Sequence, residues 1–218
     1  MARRFFEEQI QELLEDLLKM GQMVADSIQR SIQALARQDV ELACQVIDYD
    51  DEINATQHDI DETCLVLLAT QQPMASDLRS IMAISNIAAE LERIGDYTEG
   101  IARLAIKLAD QPFLKPLIDI PRMAEESRRM LMSSLEAFAR RDVEVARTIG
   151  DADDAVDALY NQVYRELLVF MMEDARTIKQ ATYLLWVAHN LERIADRTTN
   201  IAERVVFMHS GQIVDLNR

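Results

Sequence analysis

Along most of the chain apolar residues return every three or four positions, the period of a helix that buries one face. In residues 3–37 Leu13, Leu14, Leu17, Met20, Val24, Ile28 and Ile32 keep that step, with acids and Gln between them. Arg37-Gln38-Asp39 is a short polar turn, and Asp39 is placed to cap a second helix over 39–71. There Val46, Ile53, Ile60 and Leu67 follow a strict seven-residue step. Gln71-Gln72-Pro73 should end it, because proline disfavours helix in the residue before it. A third helix is expected from a Ser76 cap to about Asp110, with Leu78, Ile81, Ile84, Ile87, Leu91 and Ile94 inward. Pro112, Pro116 and Pro121 mark the proline-rich linker, the expected boundary between units at 1–112 and 113–218.

The second unit repeats the first. Ala137-Phe138-Ala139-Arg140-Arg141-Asp142 matches Ala34-Leu35-Ala36-Arg37-Gln38-Asp39 at an offset of 103 residues. Farther on, Leu91-Glu92-Arg93-Ile94-Gly95-Asp96 returns as Leu191-Glu192-Arg193-Ile194-Ala195-Asp196 at an offset of 100. The lost three residues belong in the loop before the sixth helix, where length changes are tolerated. Helices are therefore predicted at 119–140, 142–174 and 177–209, with Gly211 as a C-terminal cap. The fold class is all-α: two tandem, pseudo-symmetric three-helix bundles made of six long antiparallel helices.

Composition narrows the chemistry. A formal net charge of −15 without Lys/Arg clusters argues against a nucleic-acid partner and leaves cations or basic protein surfaces. No apolar run approaches the ~20 residues of a membrane span, and the charged start of the chain holds no signal-peptide core. Cys44 and Cys64 lie in apolar-periodic segments and read as free thiols of a reducing cytosol. The 11 Met and Trp186 read as core at helical spacing.

The duplicated acids carry the candidate chemistry. Glu92 and Asp96, like Glu192 and Asp196, stand at i and i+4 on one helix face, where like charges repel. Asp50 and its counterpart Asp153 fall on the apolar seam of the second and fifth helices, with Asp157 one turn after Asp153. Counted from the turns at Pro73 and Ala175, Asp50 lies level with Asp96, and Asp153 with Asp196. Asp50, Glu92 and Asp96 should thus meet in one unit, and Asp153, Asp157, Glu192 and Asp196 in the other. Clustered oxygens suit hard or borderline cations such as Mg, Mn, Ca or Fe. The competing reading is a salt-bridge lattice in which Arg93 and Arg193 neutralise the acids.

With its duplicated unit, its length and both Glu-x-x-x-Asp motifs, the chain resembles the PhoU family of bacterial phosphate-uptake regulators. The stretch Asp196-Arg197-Thr198-Thr199-Asn200 is close to the family pattern and adds Asn200 to the candidate ligands. The resemblance implies divalent or multinuclear metal held by these acids, iron foremost, with Zn, Mn, Mg or Ca as alternatives. It also implies a cytoplasmic homodimer that restrains phosphate uptake and starvation signalling, peripheral to the membrane through its transporter. Its implied partners are the ATPase subunit of the phosphate ABC transporter and the phosphate-sensing histidine kinase. Asn54 and Gly100 depart from the pattern, so the first unit should hold metal more weakly. The alternative is a metal-dependent oxidase or hydrolase. Against it, no His has a Glu three residues before it, and no nucleophile or acid–base pair is organised for turnover. His189, three residues before Glu192, reads as a packing or surface residue.

Overall fold

A computed structural model describes residues 2–212 and 214–216. Six helices account for most of them: α1 Ala2–Arg37, α2 Val40–Gln71, α3 Ala75–Leu108, α4 Asp119–Arg140, α5 Val143–Glu173 and α6 Ile178–Ser210. Each unit packs its three helices mutually, and the units meet through α3 against α6 and α1 against α4. The result is a front layer in the order α2, α3, α6, α5, with α1 and α4 behind it. One apolar core, from Phe6 to Met208, runs through both units. Leu13, Leu17, Met20, Val24 and Ile28 of α1 are at most 1% exposed, the outcome of the predicted stripe.

Both units make the same first turn. Gln38 and Arg141 adopt left-handed backbone (φ 54° each), and Asp39 and Asp142 then accept hydrogen bonds from Leu42 N and Val145 N. Left-handed backbone is unfavourable for a residue with a Cβ. Gln38 offsets it by donating its amide to Leu108 O at the end of α3 and to Gln111 O in the linker just beyond it.

The second turn differs. The three residues between α2 and α3 (72–74) have no counterpart before α6. The chain instead converts the first turn of the sixth helix into a 3-10 segment, Ala175–Thr177. Thr177 Oγ1 donates to Phe170 O at 2.8 Å, and Asp174 accepts from Arg176 N at 2.9 Å. The deletion is absorbed before the conserved register of α6 begins.

Several expectations need correction. Ser76 is not the cap: Met74 holds that position without a side-chain hydrogen bond. Leu78 is 41% exposed rather than inward, because successive i, i+3 steps drift about 60° each and carry it round the helix from Ile87. Pro121 lies in the first turn of α4, where a proline is tolerated. Trp186 is 54% exposed, since Leu184, Val187, Ala188 and Leu191 fill the inward arc of α6. Met74, Met82 and Met172 are exposed, while Met20, Met123 and Met130 are core. Cys64 is buried but Cys44 is exposed.

The contact between α3 and α6 is antiparallel and nearly two-fold. Asn200 Nδ2 of α6 reaches Glu90 Oε2 of α3 at 3.3 Å. At the other end, Asn190 Nδ2 stands 2.9 Å from where a Cβ on Gly100 would be. Gly100 thus makes room for an amide of the opposite helix, which accounts for the mismatch with Asn200.

Candidate metal centre

Helix periodicity puts Asp50 on the buried side of α2 and Asp153 on that of α5, 6% and 5% exposed. Asp50 Oδ1 lies against α3, 2.8 Å from the position a Cβ on Gly95 would take. It therefore sits over the backbone next to Asp96. Burial pushes the Asp50 carboxyl up to about 6, with the charges of Asp96, Glu99 and Glu92 adding to the effect. Burial likewise raises Asp153 to about 7, helped by Asp157, Asp196 and Asp154. Glu192 is pushed to about 7 by burial and by Asp196, against the opposing charge of Arg193. Glu92, Asp96 and Asp157 are also raised, burial first. Asp50 thus meets α3 beside Asp96 in the first unit, and in the second Asp153 feels the charge of Asp196.

Asp50 Oδ1, Asp153 Oδ1 and Glu192 Oε2 are buried without a hydrogen-bond donor among the described residues. An unpaired buried carboxylate is costly unless a cation or a proton compensates it. Hard oxygen donors at those points fit a divalent ion. Among the described residues no three His, Cys, Asp or Glu side chains close on one point. The arrangement is two open carboxylate rows: Asp96 is exposed and Glu92 half-buried, while the side chains of Glu192 and Asp196 are only 21% and 14% exposed.

The arginines behave differently in the two units. Arg93 donates to Glu90 at 3.1 Å rather than to Glu92 or Asp96, whereas Arg193 pairs with Asp196. The salt-bridge reading thus applies in part to the second row. Asn200 stands at the α3/α6 seam with its amide on Glu90, so binding a cation would require it to leave that partner. Asn54 Nδ2 donates to Asp50 Oδ2 at 3.1 Å, a neutral contact where the second unit has Asp157.

The sequence reading missed two groups, Glu99 and Glu90. Glu99 acts on both Asp50 and Asp96, and its place one turn beyond Asp96 could have revealed it. Glu90 is 7% exposed and accepts from Arg93 of its own helix and from Arg197 and Asn200 across the seam. Its role depends on the packing of one unit on the other, which no local spacing encodes. His189 stands with Nδ1 3.4 Å from Glu192 Oε2, beside Tyr160 and Trp186, and burial lowers its pKa from the usual imidazole value.

A duplicated helical scaffold carrying one inward carboxylate row per repeat defines the class of this protein. The family model described as PhoU domain matches residues 17–105 and 120–205. The chain is 42% identical over 207 residues to the phosphate-specific transport system accessory protein PhoU homolog of Aquifex aeolicus, covering 95% of this chain and 94% of that one. It is 38% identical to the accessory protein PhoU of Escherichia coli, over 95% of this chain and 86% of that one. Crystal structures agree. PhoU from Pseudomonas aeruginosa superposes with a TM-score of 0.91 at 37% identity, over 95% of this chain and all of that one. The phosphate transport system regulatory protein PhoU from Streptococcus pneumoniae gives 0.89 at 33%, over 96% and 99%. The chain belongs to the PhoU family.

Proposed function

We propose that this protein is a negative regulator of phosphate uptake and of phosphate-starvation signalling. It acts as a metal-binding adaptor between the ATPase subunit of a phosphate ABC transporter and a phosphate-sensing histidine kinase. The observation that carries the reading is the full-length likeness to proteins named as accessory to, or regulators of, phosphate-specific transport. None of the helices is long and apolar enough to cross a membrane among the described residues, and the adaptor would reach the cytoplasmic face through its transporter. A homodimer is part of the same reading.

Asp50, Glu92 and Asp96 would hold one cation or cluster, and Asp153, Asp157, Glu192 and Asp196, with Asn200, the other. Bound metal would neutralise the buried carboxylates and set the shape and charge of the front layer, which is the role an adaptor needs. No turnover chemistry is required of it.

Co-purification from cells tests the proposal. Tagged protein should retain the transporter ATPase and the kinase in a phosphate-dependent way, and deleting the gene should leave the starvation response switched on in high phosphate. Retention that ignores phosphate, or a normal starvation response in the deletion strain, would sink it. Loss of O₂ or ester consumption in Asp196→Ala would favour an enzyme instead.

A further inference from the structure

On the front face of the second unit an aromatic cluster borders the second carboxylate row. Tyr160 of α5 and Trp186 and His189 of α6 line, with Leu185, an open cavity of about 300 Å³. The Trp186 and His189 rings meet edge to face at 5.7 Å between centroids, and Tyr160 stands 6.3 Å from His189 and 6.5 Å from Tyr164. Trp186 and Tyr164 are 54% and 40% exposed.

The repeat supplies an internal control. At the matching places of the first unit stand Gln57, Asn86, Ala89 and Asp61, so the fold builds this hairpin without aromatic residues there. The cluster is therefore not a packing requirement. Elsewhere the chain's own cations cover its rings, Arg30 over Tyr49 and Lys107 and Lys179 over Tyr183. Among the described residues none covers Tyr160, Tyr164 or Trp186. Next to the rings lies the buried Oε2 of Glu192, 3.4 Å from His189 Nδ1 and without a hydrogen-bond donor. Electron-rich ring faces beside a carboxylate form a receptor for a planar cation.

We propose that Tyr160, Trp186 and His189 form a docking cage for an arginine side chain of a partner protein. Stacking on the rings would seat the guanidinium at the edge of the second carboxylate row. The net charge of −15 draws a basic segment to this chain, and the cage selects arginine over lysine because only a planar guanidinium stacks. The inference rests on the regulator reading only for the source of the arginine. A peptide assay tests the cage separately from the co-purification above.

Trp186 is the chain's one tryptophan, so its emission reports on the cage directly. The full-length protein is titrated with fluorescein-labelled hexa-arginine, hexa-lysine and a neutral Leu-Ser hexapeptide, followed by anisotropy. Unlabelled peptides are followed by Trp186 emission. Hexa-arginine should bind about fivefold more tightly than hexa-lysine and alter the emission. The Tyr160→Gln, Trp186→Asn, His189→Ala variant carries the first unit's residues, and it should lose the preference for arginine while still binding both basic peptides. Trp186→Asn alone, with wild-type circular dichroism, should lose most of it. Equal affinity for the two basic peptides, an unchanged preference in either variant, silent emission, or a Leu-Ser peptide that binds as well would overturn the cage.

Discussion

The two carboxylate rows are built alike and surrounded differently. Asp50 and Asp153 occupy the same place on their helices, as do Glu92 and Glu192, and Asp96 and Asp196. Yet Asp50 is relieved by an amide donor from Asn54, while Asp153 faces the added charge of Asp157. Burial comes first in raising both, to about 6 for Asp50 and about 7 for Asp153, and the neighbours act on top of it. The scaffold fixes where the buried acids stand. Neighbours one helical turn away add to or relieve the charge at each buried acid.

The sharpest way to break this comparison is to empty one row at a time. Asp153→Asn with Asp196→Asn should abolish the tighter metal-binding component, measured by elemental analysis and calorimetry. Asp50→Asn with Asp96→Asn should remove only a component at least about tenfold weaker. Loss of a ligand exceeds the 10- to 100-fold effects typical of outer-shell changes. Equal affinities in the two doubles would remove the ranking.

Next in size is a pH effect on metal-free protein. The native carboxyl of Asp153 sits above its unfolded value, so its stability contribution is complete below about pH 4 and is lost as pH rises through about 7. Asn imitates the protonated form. With chelator present, Asp153→Asn should be more stable than the parent at pH 8, on the order of 3 kcal/mol, and equal to it near pH 4. Denaturant titrations at the two pH values check it. Adding a divalent ion at pH 8 should then stabilise the parent more than the variant.

The smallest effect should come from Gly95→Ala, which gives the first unit the residue of the second. The new methyl would meet Asp50 Oδ1 at 2.8 Å and Ile53 Cγ2 at 3.3 Å. The helix gains about 1 kcal/mol in propensity, and displacing the end of Asp50 offsets it, so thermal stability should change little. Affinity at the first row should change a few-fold, because Asp50 must swing away from α3. An unaltered first-row affinity would mean that Asp50 takes no part in binding.

Much of this was legible in the residues. Period and duplication give six helices and their order, and the Asp39 cap falls where expected. Counting outward from each turn placed the acids level, because two helices of a hairpin rise at the same rate. What stayed hidden depends on rotation and on contacts between units. A three-residue step alone does not tell which side a helix presents, so Leu78 and Trp186 were placed inward. Whether an arginine leans toward its own row or toward Glu90 is set by the α3/α6 seam, as is the attachment of Asn200.

That seam is held at two heights, by Asn200 on Glu90 and by Arg79 on the carbonyl of Met208. Sliding α3 along α6 would break both contacts together, so the halves are joined as a brace rather than a hinge. Its consequence is a gauge. The separation of the two rows is held constant, and whatever grips both must match a span set inside the molecule.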